Sequence, residues 1–269
     1  MKKLGLIAGS GELPLAVAAE ARSKGYKVAA VGLEPLADKS LASVVDEITW
    51  VNVGKLGAII DTLRKYHVSE AVMAGKVPKS LLYKSRIIPD LRAVKLLFSL
   101  KDRSDDSILL AITHELEKEG ITLLNTTDFS SQLLTPEGVL TGKAPSESEW
   151  KDIAFGWKIA KEIGRLDIGQ TIVVKNQAVM AVEAIEGTDE AIRRGGKLAG
   201  QGAVVIKVSK PRQDMRFDVP VVGSDTLKAM KEVNARVLAI EAKNSILLNR
   251  QKMIASAEKA GISVVGYLQ

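Results

Sequence analysis

The first half of the chain alternates short apolar runs with longer stretches whose apolar residues recur at helical spacing. Residues 4–8, 27–31, 47–51, 70–74 and 121–124 are brief, largely apolar and bounded by Gly or polar residues, the signature of strands. Residues 13–24, 56–66 and 104–118 carry the three-to-four spacing of a helix with one buried face. Strand and helix in alternation argue for a parallel sheet covered by helices, a Rossmann-like α/β domain with right-handed crossovers.

From about 130 to 149 the pattern lapses. Pro136, Gly138, Gly142, Pro145 and the run Ser146-Glu147-Ser148-Glu149 read as a connector with turns. The expected division is therefore an N-terminal domain over 1–131, a linker over 132–150 and a C-terminal domain over 151–269. In the second half, strands are predicted at 168–175, 178–185, 203–208, 237–242 and 262–267, and helices at 152–163, 189–198, 225–234 and 250–260. Several of these strands follow one another with only turns between them, which predicts a mixed α/β sheet.

Composition narrows the chemistry. With 269 residues, 46% hydrophobic and 26% charged, the chain has a globular balance and enough length for two ordinary domains. Aromatics are only 4%, so the core must be aliphatic. The chain has no cysteine, which excludes disulfides, thiolate zinc sites and a cysteine nucleophile, and fits a cytoplasmic location. The apolar start at 4–8 is broken by Gly9, Gly11, Glu12 and Pro14 too early for a signal peptide. No stretch approaches the roughly 20 apolar residues of a membrane span. The net charge of +6 suits either an ordinary surface or an anionic ligand. Nucleic acid is not an expected partner, because no basic tract is interleaved with aromatics and no finger or helix-turn-helix signature is present.

Two glycine turns stand at the ends of predicted strands. In the first, residues 7–14, Gly9, Ser10 and Gly11 lead into a helix, where glycine backbone and free helix N–H groups suit a phosphate. A dinucleotide fingerprint wants a third glycine where this chain has Pro14, which instead suits a helix's first turn. A structural turn and a nucleotide contact both remain readings of it. In the second turn, Gly75 and Lys76 occupy the carboxyl end of a predicted strand, where open α/β sheets bind ligands. Residues 76–103 hold eight basic side chains against two acidic ones, interleaved with apolar residues. That segment reads as a helix with snorkelling lysines, or as a surface for an anionic, greasy substrate or a membrane face. Asp102, Asp105 and Asp106 around Ser104 suit a helix cap or a hard cation.

Residues 210–220 are the most informative. Read as extended chain, they place Asp214, Arg216 and Asp218 on one face and Met215, Phe217 and Val219 on the other. Two carboxylates can position Mg²⁺ and water while the arginine clamps a phosphate oxygen; a solvated edge strand is the plainer reading. Glu183, Glu186, Gly187, Thr188 and Asp189 add carboxylates at a strand-to-helix corner, where capping accounts for part of the pattern. His67 and His114 lack metal-ligand spacing, and no Ser–His–Asp grouping is evident.

Taken together, residues 7–14, 72–76, 102–109, 167–170, 181–189, 213–220 with Gly223 and Thr226, and 265–266 resemble the LpxI family in order along nearly the whole chain. The combination of Glu186-Gly187-Thr188-Asp189 with Gln213-Asp214 and Arg216-Phe217-Asp218 is the specific part. The resemblance implies hydrolysis of UDP-2,3-diacylglucosamine to UMP and lipid X in lipid A synthesis. Implied with it are Mg²⁺ dependence, a substrate held between two domains, water attack at the phosphorus nearer the sugar, and a homodimer. On this basis Asp218, Asp214 and Arg216 are the expected catalytic residues, and Asp218, Asp214 and Asp189 the expected metal ligands. Gly9, Ser10, Gly11, Gly75, Lys76, Gln170, Glu183, Glu186, Gly187, Thr188 and Gln213 are the expected substrate contacts. A cytoplasmic enzyme touching the inner membrane peripherally is the matching location. The competing readings are an NAD oxidoreductase, a nucleotide-sugar or lipid binding module without turnover, and a hydrolase of another nucleoside diphosphate.

Overall fold

The computed structural model describes residues 2–77, 88–100, 105–211, 213–217 and 219–269. The chain divides into two compact units, Met1–Ser130 with Met215–Phe217, and Ser131–Asp214 with Asp218–Gln269.

The first unit holds β1 (Lys3–Ala8), α1 (Leu13–Ser23), β2 (Lys27–Glu34), β3 (Glu47–Asn52), α2 (Leu56–Lys65), β4 (Glu70–Ala74), α3 (Leu91–Ser99), α4 (Asp105–Lys118) and β5 (Thr122–Leu123). Its five strands lie in the order β3-β2-β1-β4-β5, all parallel. The Rossmann-like expectation is met. The central strands β1 and β2 are buried along nearly their whole length, which is why they read as unbroken apolar runs rather than as alternation. The aliphatic core joins Ile7, Val31 and Ala71 of the sheet to Ile59, Ile60 and Leu63 of α2 and Leu116 of α4.

The second unit holds β6 (Gly138–Val139), α5 (Glu147–Arg165), β7 (Thr171–Lys175), β8 (Ala178–Val182), α6 (Thr188–Ala199), β9 (Val204–Lys207), β10 (Val221–Val222), α7 (Ser224–Glu232), β11 (Val237–Glu241), β12 (Ile246–Leu247), α8 (Arg250–Lys259) and β13 (Ser263–Tyr267). Six strands form a mixed sheet in the order β6-β13-β11-β9-β7-β8, and β10 and β12 form a separate parallel pair. Strands β13, β11 and β9 are parallel, whereas β6, β7 and β8 run antiparallel to their neighbours.

Alternation along β9 builds the layers of this unit. Val204 and Ile206 pack with Ile153, Trp157 and Ala160 of α5, while Val205 faces Ile192, Leu227 and Met253 of α6, α7 and α8. The run Ser146–Glu149, expected in the linker, is the start of α5. The Ser146 hydroxyl accepts from the Glu149 N–H, and the Glu149 carboxylate accepts from the Ser146 N–H at 2.7 Å, a reciprocal cap. Within the same expected linker, β6 pairs with β13 at the sheet edge.

Candidate functional site

In the first unit the strand order reverses between β1 and β4, and ligands of open α/β sheets gather at the carboxyl ends beside such a point. The two glycine turns meet there. Gly9 N–H donates to the Ala74 carbonyl at 2.8 Å, Ser10 N–H to Lys76 at 3.0 Å, and Lys76 N–H back to Ser10 at 2.9 Å. The Ser10 hydroxyl donates to the Lys76 carbonyl at 2.9 Å. A Cβ on Gly9 would stand 2.7 Å from the Lys76 carbonyl oxygen, and one on Gly75 (φ +93) 2.7 Å from that of Ser10. These glycines therefore let the two loops approach each other first. Beyond that closure the edge is open at Gly11, where an added Cβ would meet nothing within 4 Å.

Along the same edge a pocket of about 420 Å³ is lined by Glu34, Pro35, Ala37, Lys39 and Asn52, at the ends of β2 and β3. Lys39 is held 2.9 Å from the Glu34 carboxylate and 3.8 Å above the Trp50 ring. An acid at the end of the second strand is where nucleotide-binding sheets of this order hold ribose hydroxyls. Sequence reading missed Glu34; its signal is the Glu-Pro pair that ends the apolar run of β2.

In the second unit the parallel ends of β9 and β11 and the start of antiparallel β7 share one edge, since Lys207 pairs with both Thr171 and Ile240. A buried polar network occupies that edge. Lys207, 6% exposed, donates to the Thr188 hydroxyl and the Val221 carbonyl, both at 3.1 Å. The Thr188 hydroxyl donates to Glu183, 8% exposed, at 2.8 Å. Alongside, Glu241 accepts from Lys161 at 2.7 Å, Ser209 N–H at 2.7 Å and Asn244 at 3.1 Å. Gln213 accepts from the Ser209 hydroxyl and Lys210 N–H, and its amide reaches Gln170 at 3.4 Å. Charged groups buried at this cost persist only when paired, and each one here is. Lys207, Glu241, Lys161 and Ser209 were not among the expected residues. For Lys207 and Glu241 the signal is a charge closing an apolar strand, as in VVIK and VLAIE; Lys161 in α5 and Ser209 after β9 carry no such signal.

The structure sorts the predicted carboxylates. Glu183 turns inward to Thr188. Glu186 turns outward to Arg194 and the Ala184 N–H, and the Arg194 hydrogen bond is the main reason its carboxyl sits below the usual range. Gly187 (φ +85) starts α6 in a backbone conformation that favours glycine. Asp189, in the first turn of α6, is half-buried, and its carboxylate makes no hydrogen bond or ion pair among the described residues.

The segment 210–220, expected to be extended, instead folds into a turn over 215–217 among its described residues. Its carbonyls have no ladder partner and are held by Thr126, whose N–H donates to Met215 O at 3.0 Å and whose hydroxyl lies 3.0 Å from Arg216 O. Phe217 packs on the core of the first unit. Arg216 lies 4.0 Å from the Glu117 carboxylate, and Asp214 is half-buried. Asp218 lies outside the described residues, as do 78–87 and 101–104 of the basic stretch and its acidic end.

Among the described residues no three acidic or histidine side chains gather as a metal cage. Mg²⁺ usually takes one or two carboxylates together with substrate phosphates rather than a closed protein cage. The uncompensated carboxylate of Asp189 fits that mode as one oxygen donor. His67 and His114, in a helix-end turn and in α4, supply no nitrogen cluster.

Residues 3–133 match the LpxI N-terminal domain and residues 136–265 the LpxI C-terminal domain. UDP-2,3-diacylglucosamine pyrophosphatase LpxI from Caulobacter vibrioides is 34% identical over 277 aligned positions, covering 99% of this chain and 98% of that protein. A bifunctional purine biosynthesis protein PurH from an Anaeromyxobacter species is 28% identical over 131 positions, 47% of this chain and 22% of its own. Among solved structures, phosphoribosylglycinamide synthetase from Anaerococcus prevotii overlaps 71% of this chain and 34% of its own at 14% identity and a TM-score of 0.28, too low to carry an argument.

Proposed function

The chain belongs to the LpxI family, and from that premise we propose that it hydrolyses UDP-2,3-diacylglucosamine to UMP and lipid X with the help of Mg²⁺. The observation that carries the reading is the 34% identity to the Caulobacter vibrioides pyrophosphatase along essentially both full lengths.

The carboxyl edge of the second sheet supplies groups suited to a diphosphate. Lys207 brings a buried ammonium, oriented by Thr188 and the Val221 carbonyl. Gln170 and Gln213 bring amides held by each other and by the Lys210 backbone. A divalent cation would supply charge neutralisation on phosphate oxygens and a more acidic bound water. Asp189 and Asp214 are the described residues that would hold it, with Asp218 as the essential carboxylate. Arg216 balances charge on the diphosphate through its guanidinium. The nucleotide is assigned to the carboxyl edge of the first sheet, where Gly11 is open and Glu34 and Asn52 line a pocket.

The test is incubation with UDP-2,3-diacylglucosamine and Mg²⁺, with and without chelator, following UMP. The expected result is UMP release that chelator abolishes, and loss of release in Asp218→Asn with the fold retained. Binding without release over long incubation would favour a non-catalytic module, and release from other nucleoside diphosphates alone would reassign the substrate. In ¹⁸O water, label in the lipid X phosphate marks attack at the phosphorus nearer the sugar.

A further inference from the structure

Helix α3 is apolar on two opposite sides. Its inner side packs Ala93, Leu96, Leu97 and Leu100 on the core of the first unit. On the outer side Leu91 is 70% exposed and Phe98 83%, and Ile88 just before the helix is 66% exposed. Leu91 and Phe98 are seven residues apart and so share one face, and the exposed Lys95 lies between them on the same stripe. Two large apolar side chains this exposed, two turns apart on one stripe of a helix whose other side is already packed, leave a face available to a partner.

The helix is anchored. The Asp90 carboxylate accepts from Ala93 N–H at 2.9 Å and from Gly57 N–H of α2 at 2.7 Å. Arg92 reaches Glu115 of α4 at 2.7 Å and Glu119 just beyond it at 2.9 Å. Its outer stripe is thus a fixed feature of the unit. Two observations say what covers it. A lysine in the middle of an apolar stripe suits a surface that is both greasy and anionic, because the stem stays in the apolar layer while the ammonium reaches the charge. The sequence on either side of the helix is basic as well: residues 76–103 hold eight Lys and Arg against two Asp, of which Arg92 is engaged with Glu115 and Glu119.

We propose that the outer face of α3, formed by Leu91 and Phe98 around Lys95, with the exposed Ile88 just before the helix, docks the protein on an anionic lipid bilayer. The inference rests on the proposed function in one respect, that a diacylated substrate and product reside in such a layer.

The experiment is flotation of the full chain with vesicles of phosphatidylethanolamine and phosphatidylglycerol, read without turnover. Wild type is expected to float with them and to be released by high salt, as a contact with an electrostatic share requires. The double variant Leu91→Ser, Phe98→Ser is expected to lose at least about tenfold in bound fraction while hydrolysing detergent-dispersed substrate within about twofold of wild type. Lys95→Glu, a single surface change, is expected to weaken flotation in the same direction. Unchanged flotation of the double variant, or no flotation of wild type, overturns the proposal. So does self-association that the double variant abolishes, which would assign the face to a second copy. Loss of turnover in detergent would assign it to the substrate site and equally overturn docking. A protein that floats through α3 yet releases no UMP would refute the proposed activity and leave the docking surface standing.

Discussion

Lys207 donates to the Thr188 hydroxyl at 3.1 Å, and that hydroxyl donates on to Glu183 at 2.8 Å. The order of donors is forced. An ammonium can only donate and a carboxylate only accept, so the threonine between them must do both. Thr188 is also the first residue of α6, so this chain of bonds anchors the turn that carries Asp189.

Replacing Lys207 with Met keeps an unbranched side chain one atom shorter and removes the donor. Thr188 and the Val221 carbonyl lose a buried charged donor. Hydrogen bonds from a charged group contribute roughly 1.5–3 kcal/mol. Urea unfolding is expected to show a loss of that order. UMP release is expected to fall by more than about tenfold, the equivalent of ~1.4 kcal/mol of transition-state stabilisation. Rates near those of wild type would separate Lys207 from the reaction.

Thr126 is buried and bonds both Met73 O and Arg216 O through its hydroxyl. Thr126→Val preserves shape but removes the single proton that those two carbonyls share, at ~1–3 kcal/mol in all. Hydrogen exchange is expected to rise at 215–217 more than in the sheet. UMP release is expected to drop, because the turn carries Arg216 between Asp214 and Asp218.

Gly75→Ala sets a Cβ against the Ser10 carbonyl in a backbone conformation that disfavours any side chain. The two loops must part, and the strained residue alone costs ~1–3 kcal/mol. The expected outcome is a lower melting temperature and weaker UMP binding by calorimetry. Gly11→Ala, where there is open space, meets only its own backbone strain. It is expected to cost less stability.

Glu115 accepts hydrogen bonds from Lys118 and Arg92, which hold its carboxyl below the usual range. A depressed folded-state value means the contribution is complete above the ordinary glutamate pKa and is lost as pH falls through the folded one. Acidification below ~4 is therefore expected to loosen the tie between α3 and α4. Hydrogen exchange in α3 as a function of pH checks it, with Glu115→Gln removing the pH dependence in that window.

Much of the fold was legible because its strands and helices are locally consistent. The runs at 4–8, 70–74 and 237–242 are apolar on both faces, and the parallel sheet that buries both faces gave β1, β4 and β11. The glycine turns at 9–11 and 75–76 were legible as carboxyl-end loops. That they close on each other was not, because a hydrogen bond from Ser10 to Lys76 joins residues 66 positions apart.

The candidate site divides along the same line. Sequence alone determined which residues could carry charge, oxygen ligands or close backbone approach, since those are properties of side-chain chemistry and glycine. Only tertiary structure decided that Glu183 turns in while Glu186 turns out, that 215–217 folds into a turn held by Thr126, and that the lysine ending VVIK is buried. The physical reason is that a buried charge is tolerated only where its partners stand, and the partners of Lys207 arrive from α6 and β10, remote in sequence.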